Sequence, residues 1–206
     1  AINAPAMWAM GYTGKNRIAL GYDTGVNFMH PAIANRFLGK FLPLSEVYHS
    51  MYDFQYPVDI SPSTHGTHTL GTVLGLDARN NDTIGVAYNA YWMATDPIVS
   101  NESDIRPFHV YMEVFEWILN PDGDTATVAD IPDAVNNSWG IGPEHPYYEC
   151  DPVSSYILDA VDAAGIANVF SAGNEGPGDG TIGMPANTAR SEVNVFSVGA
   201  VNGNSS

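Results

Sequence analysis

Hydrophobic and polar positions follow two alternating patterns along the chain. Short apolar runs of about five residues, bounded by Gly, Pro or polar residues, are typical of buried parallel strands. Longer segments in which apolar residues recur every three or four positions indicate amphipathic helices. Because the two patterns alternate, the sequence predicts an α/β domain, with helices on both faces of a mostly parallel sheet.

Two segments have a clear helical pattern. One helix is predicted over residues 104–119, where Pro107 is tolerated only in the first turn. The other is predicted over residues 152–164, with Asp151 as its N-cap and Gly165 after its last residue. The predicted strands are residues 17–22, 89–94, 133–138, 166–170 and 193–201.

Composition narrows the function classes. The chain has 206 residues, of which 45% are hydrophobic and 15% charged, and this balance is typical of one globular domain. Seven Lys and Arg against 23 Asp and Glu give a net charge of −16, which argues against nucleic acid as a partner because phosphate binding needs clustered cations. No apolar run is long enough to span a membrane, and the single Cys150 provides no disulfide framework within these residues.

Polar residues follow several of the predicted strands. In open α/β sheets the ligand site lies beyond the carboxyl ends of the strands. Taken alone, an Asp after a strand is as typical of a capped turn, and a Gly-rich segment is as typical of an ordinary loop. The residues at these positions are Asp23, then Ser138, Trp139 and Gly140, and finally Ala172, Gly173 and Asn174.

Two histidines lie near the start of a small-residue segment that is predicted to be a helix. His65 could be carried to a cleft by this helix, or His65 and His68 could together ligate zinc. The zinc interpretation lacks a third ligand in the segment. An aspartic protease needs two Asp-Thr-Gly segments, and the chain has only the one at 23–25.

The order of the polar segments is more specific than any one of them. The segments are Asp-Thr-Gly at 23–25, His-Gly-Thr-His at 65–68, Asn-Asn-Ser-Trp-Gly at 136–140 and Ser-Ala-Gly-Asn-Glu-Gly at 171–176. Their order resembles that of the subtilisin-like serine proteases, and the likeness extends from about residue 4 to residue 201. The resemblance implies a three-layer α/β fold in which residues 1–206 are the N-terminal and central part of a single peptidase domain.

The resemblance also implies residue roles in peptide hydrolysis. Asp23 would orient the imidazole, His65 would act as general base and then general acid, and Asn174 would donate its amide to the oxyanion. Glycine at 183 would leave the pocket for the residue before the scissile bond deep enough for a large side chain. The residues implied to bind substrate are Ser138, Trp139, Gly140, Ala172, Gly173 and Gly183.

The resemblance further implies polypeptide substrates, secretion from the cell and chemistry that needs no cofactor. Structural calcium is common in the family, and an oxygen-rich loop is a candidate for it, although such a loop is also typical of a plain turn. That loop contains Asp77, Asn80, Asn81 and Asp82.

One part of the family pattern is absent from these residues. Family members carry the nucleophilic serine in a Gly-Thr-Ser-Met-Ala segment, and the 206 residues contain none. We therefore expect the remaining part of the domain to supply that serine and to cover apolar strand faces that are otherwise open. Alone, these residues should be inactive, because triad members act as a unit. The alternatives are a non-catalytic binding module with a protease-like cleft, or an inactive fragment.

Overall fold

A computed structural model describes residues 2–80, 82–99, 105–142, 152–191 and 194–201, which include a six-stranded sheet and four helices. The predictions that involve Asn81, Asp104, Cys150, Asp151 and Val193 fall outside these residues.

The central sheet is parallel at every one of its described strand pairs. Its order is β2-β5-β1-β6-β7-β8, and β3 and β4 form a separate antiparallel hairpin. All five predicted strands are confirmed, with shifts of at most three residues at their described ends. The strands are β1 (Ile18–Tyr22), β2 (Tyr48–His49), β3 (Leu76–Asp77), β4 (Asp82–Thr83), β5 (Tyr91–Thr95), β6 (Ala134–Asn137), β7 (Ala167–Ser171) and β8 (Phe196–Val198).

The four helices are α1 (Ala4–Ala9), α2 (His65–Leu74), α3 (Phe108–Ile118) and α4 (Pro152–Ala163). The prediction for α3 is wrong over residues 105–107, which are not helical. Pro107 is extended, with ψ of 145°, and stands at the N-cap. The residue before a proline is disfavoured in the α region, so Arg106 is kept out of the helix. Pro107 itself is the N-cap, and the helix begins after it.

Strand β1 shows that helices cover both faces of the sheet. On one face, a Cβ at Gly21 would lie 3.5 Å from Leu70 of α2. On the other face, the Tyr22 ring lies 5.2 Å from the ring of Phe115 in α3, and the Tyr22 hydroxyl donates a hydrogen bond to the Tyr111 carbonyl. The three-layer α/β fold is therefore confirmed.

Strand β8 carries two exposed apolar side chains on the α2 side of the sheet. Phe170 of β7 is fully buried and contacts Phe115, so it faces α3. Its neighbour Val169 faces the α2 side, where it pairs in register with Phe196 of β8. Phe196 is 39% exposed and Val198 is 56% exposed. We call this strip of β7 and β8 the open face.

Candidate active site

Asp23 and His65 are brought together by the end of one strand and the start of one helix. Asp23 follows β1 directly, and His65 is the first residue of α2. The distance between Asp23 Oδ1 and His65 Nδ1 is 2.6 Å. The Asp23 side chain is 1% exposed, whereas that of His65 is 44% exposed. A buried carboxylate thus orients an imidazole that solvent can reach.

Three donors hold the Asp23 carboxylate in place. Besides His65, the backbone N–H of Thr24 donates to Oδ1 at 2.7 Å, and the Thr69 hydroxyl donates to Oδ2 at 3.0 Å. The hydrogen bond to Asp23 is the main reason that the pKa of His65 is raised above 6.5, and the charges of Asp23 and Asp59 add to it while partial burial opposes it. The site therefore stabilises the imidazolium that forms when His65 accepts a proton.

Two glycines allow this approach of helix and strand end. A Cβ at Gly66 would lie 2.1 Å from the Gly25 carbonyl oxygen, and one at Gly25 would lie 1.8 Å from the Val58 carbonyl oxygen. Gly25 also has φ of +88°, a conformation that favours glycine. Each of these residues therefore has to lack a side chain if Asp23 and His65 are to meet.

We predict that Gly66→Ala lowers both stability and activity. The added methyl has to displace the start of α2, and overpacking of this kind costs about 1–3 kcal/mol in the free energy of unfolding. Gly178→Ala is the control, because its Cβ would make only an ordinary 3.6 Å contact with Thr181 in an exposed loop. Urea unfolding and peptidase assays on the full-length protein check this. Equal stability of the two variants would contradict the proposed close approach.

Asp59 is a site residue that the sequence analysis missed. Its Oδ1 accepts a hydrogen bond from the Thr24 hydroxyl at 2.8 Å. Its Oδ2 accepts hydrogen bonds from the Thr67 backbone N–H at 2.8 Å and from the Thr67 hydroxyl at 2.6 Å. In turn, the Thr24 hydroxyl accepts a hydrogen bond from the backbone N–H of Gly66 at 3.1 Å. Asp59 thus ties the residue after Asp23 to the first turn of α2.

A signal for Asp59 does exist in the sequence. Carboxylates are favoured near helix N-termini, where they accept hydrogen bonds from free N–H groups. Asp59 stands six residues before α2 begins, in a Pro- and Ser-rich loop, so its place at the helix start depends on how that loop folds back.

We predict that Asp59→Asn shifts the pH profile of the activity toward lower pH. His65 has to be neutral to accept a proton, so activity is lost as pH falls through its pKa, and removing a negative charge lowers that pKa. The loosened helix start should also lower kcat/KM by roughly 10- to 100-fold. Asp53→Asn is the control, because it removes the same charge from an exposed residue that is not among the charges acting on His65. If Asp59→Asn loses activity on the acid side at the same pH as the wild type, the prediction is contradicted.

A cleft joins most of the residues that the resemblance implied for substrate binding. A cavity of about 60 Å³ is lined by Asn174 and by every predicted substrate-binding residue except Ala172. Ala172 lies beside it at the end of β7, and its backbone N–H donates to the Val198 carbonyl at 3.0 Å. The cavity is lined by Ser138, Trp139, Gly140, Gly142, Ser171, Gly173, Asn174, Glu175 and Gly183.

Gly183 and Trp139 differ in what they contribute to this cleft. Met184 and Ile141 exchange two backbone hydrogen bonds of 2.8 Å, and a Cβ at Gly183 would lie 2.8 Å from the Ile141 carbonyl oxygen. This close approach explains why residue 183 is a glycine. The depth of the pocket for the residue before the scissile bond stays a prediction. The Trp139 ring is 7% exposed and lies 5.0 Å from the Tyr22 ring, so it anchors the cleft to the core.

Metal ligation at the two histidines would compete with this arrangement. The Nδ1 atom of His65 is bonded to Asp23, and His68 is exposed. Within the described ranges, no three His, Cys, Asp or Glu side chains converge on a metal position. In the oxygen-rich loop, Asp77 accepts hydrogen bonds from the backbone N–H of Arg79 and from the Asn80 amide, and these lower the pKa of Asp77.

The described helices include none that is long and apolar enough to cross a membrane.

The chain is similar to known proteins over nearly its whole length. The model of the subtilase family matches residues 18–206. Bacillopeptidase F of Bacillus subtilis (strain 168) is 34% identical over 215 residues, covering 97% of this chain and 14% of the relative. Subtilisin E of the same strain is 30% identical over 203 residues, covering 98% of this chain and 45% of the relative. The chain thus spans less than half the length of these relatives.

A solved structure shows the same fold. The structure of prenylagaramide maturation protease PagA superposes with a TM-score of 0.67 and covers 98% of this chain and 60% of that one. Sequence identity is 14%, so this similarity concerns the fold alone.

Proposed function

The chain belongs to the subtilase family, and from this we propose that it forms part of a serine endopeptidase. The observation that carries the proposal is the 2.6 Å contact between the buried Asp23 carboxylate and the partly exposed His65 imidazole. Such a pair can take a proton from a hydroxyl nucleophile and hold the resulting imidazolium.

The proposed reaction has two halves. His65 Nε2 accepts the serine hydroxyl proton as the serine oxygen bonds to the substrate carbonyl carbon, and the carbonyl oxygen becomes an oxyanion. His65 then gives this proton to the leaving amine as the peptide C–N bond breaks, which leaves an acyl-enzyme. In the second half, water bonds to the ester carbonyl carbon, the C–O bond to the serine breaks, and His65 moves a proton from water to the serine oxygen, which releases the product carboxylic acid. No cofactor takes part.

Asn174 is proposed to stabilise the oxyanion. It lies in the same cleft as Ser138 and Gly183, where a substrate carbonyl would be held. A side-chain amide donor placed there acts mainly in the transition state, because charge on the oxygen develops only then. Residues 138–140 would pair with the backbone of an extended polypeptide substrate.

We propose that the nucleophilic serine lies on a segment outside residues 1–206 and that this segment covers the open face. The support is the exposure of Phe196 and Val198 on the α2 side of the sheet, the side on which His65 begins its helix. Exposed apolar strips of this kind mark surfaces at which another segment packs. The net charge of −16 and the scarcity of lysine support the further proposal of a secreted enzyme.

The test is a peptidase assay on the full-length protein with an unfolded protein substrate. We expect internal peptide bonds to be cleaved, and a serine-directed phosphonate to stop the reaction. Binding without cleavage would identify a protease-like binding module. Inhibition by chelators but not by the phosphonate would instead identify a metal hydrolase.

A further inference from the structure

One buried carboxylate at the edge of the sheet takes no part in the proposed reaction. Asp96 follows β5 directly, as Asp23 follows β1, and it is fully buried. Within the described ranges, no Lys, Arg or His forms an ion pair with Asp96. A buried charge without a counter-charge is tolerated only where hydrogen bonds stabilise it, so the donors around Asp96 show what it holds in place.

The donors to Asp96 come from β2 and from the segment that follows it. Asp96 Oδ2 accepts hydrogen bonds from the Tyr48 hydroxyl at 2.6 Å and from the Ser50 hydroxyl at 2.7 Å. Its Oδ1 accepts one from the Met51 backbone N–H at 2.6 Å. Burial, and then the hydrogen bond to Asp96, raise the pKa of Tyr48, so this hydroxyl keeps its proton and stays a donor. Asp96 thus fixes the point at which the chain leaves the sheet.

The Ser50 hydroxyl shows why its partner is a carboxylate. The Ser50 oxygen already accepts the backbone N–H groups of Tyr52 at 3.2 Å and of Phe54 at 3.1 Å, so its own proton has to go to an acceptor. The Met51 N–H, on the other oxygen of the same carboxyl group, can only donate as well. A carboxylate offers an acceptor to both, whereas an amide would place its NH2 group against one of the two donors.

The segment that Asp96 fixes, residues 50–60, returns to the turn after β1. A Cβ at Gly25 would lie 1.8 Å from the Val58 carbonyl oxygen, and the Ile60 backbone N–H donates to the Thr24 carbonyl at 2.9 Å. The middle of the segment is exposed to solvent, so the contacts near its two ends mainly set its position.

Asp96 also contacts the turn after β1 directly. A Cβ at Gly25 would lie 3.3 Å from the Cβ of Asp96. Two residues after Asp96, the Ile98 backbone N–H donates to the Asp23 carbonyl at 3.3 Å. Asp96 is therefore in contact both with the segment at 50–60 and with the turn whose first residue orients His65.

We propose that Asp96 is a positioning residue for the Asp23–His65 pair, which it supports through the segment at 50–60 and through the turn after β1. This inference rests on the proposed peptidase function. Because Asp96 is fully buried, it acts through these contacts and not on the substrate. A misplacement of about 1 Å in a catalytic site costs roughly 100-fold in rate, so the smaller shift that follows loss of these hydrogen bonds should cost about tenfold.

Asp96→Asn in the full-length protein tests the proposal, because the amide keeps the shape of the site and disturbs its hydrogen bonds. We expect kcat per active site, with the sites counted by titration with a serine-directed phosphonate, to fall about tenfold with little change in KM. The NMR signal of the His65 Nδ1 proton should shift, because its position depends on the hydrogen bond to Asp23. Asp53→Asn makes the same chemical change at an exposed position of the same segment and should match the wild type in both measurements.

A second pair of variants tests the contact itself. Tyr48→Phe removes one donor to Asp96 and should lower kcat per active site, by less than Asp96→Asn does. In the Asp96→Asn background its effect should be smaller, since the two residues act through one contact. Tyr56→Phe is the control, because it removes a hydroxyl from an exposed ring in the same segment.

Three results would overturn the proposal. A wild-type kcat per active site, with fewer active sites in Asp96→Asn, would mean that Asp96 only stabilises the fold. A rise in KM alone would mean that it acts on substrate binding. An unchanged His65 signal would mean that Asp96 does not influence the pair. The NMR measurement needs no peptidase activity, so it decides the role of Asp96 even if the full-length protein does not cleave peptides.

Discussion

We expect His65→Ala to lower kcat of the full-length protein by about 10⁶-fold, the magnitude known for loss of the triad base in subtilisin. Without the imidazole, the nucleophile has no base to take its proton, and the leaving amine has no acid. The folded structure should persist, because the side chain is 44% exposed and Asp23 keeps its bonds from Thr24 and Thr69. Steady-state kinetics and circular dichroism check the two halves of this prediction.

His68→Ala is the matched control for that experiment. It removes an exposed imidazole one turn further along α2, so activity should stay close to wild type. A zinc hydrolase that used both histidines would lose activity in the two variants alike. Activity retained in His65→Ala would contradict the proposed mechanism.

Asp23→Asn lowers kcat by about 10⁴-fold, the second largest effect we expect. The amide preserves the shape of the buried site, but its NH2 group donates a hydrogen bond to His65 Nδ1 where the carboxylate accepted one, so the imidazole is held in the wrong tautomer. The pKa of His65 should fall, since its hydrogen bond to Asp23 is the main cause that raises it.

Kinetics combined with an NMR titration of His65 tests this prediction. Asp77→Asn provides the control, because that carboxylate lies in a surface turn with Arg79. The double variant Asp23→Asn with His65→Ala should be no slower than His65→Ala alone, since the two residues act as a unit. An unchanged pKa of His65 in Asp23→Asn would contradict the geometry of the pair.

The strands could be predicted because they depend on local sequence, whereas the pairing of Asp23 with His65 was implied by the family resemblance. Strands β1, β5, β6 and β7 are short apolar runs, and their carboxyl ends meet at one edge of the sheet whatever their partners are. Asp23 and Asn174 each follow such a strand, so their placement at this edge comes from the topology alone.

The features that the sequence did not predict depend on contacts far along the chain. Strand β2 has two residues and exists through its pairing with β5, and helix α1 is held through Trp8, which donates to the Val86 carbonyl. The burial of Trp139 among aromatic rings requires α3 to lie above β6. Asp59 reaches α2 only because its loop folds back.

The central claim is that the Asp23–His65 pair activates a serine outside residues 1–206. The most direct measurement is peptide mapping by mass spectrometry of the full-length protein after reaction with a serine-directed phosphonate. The account predicts a single adduct on one serine beyond residue 206, and no adduct in His65→Ala. An adduct on a residue within 1–206, or equal labelling of His65→Ala, would contradict it.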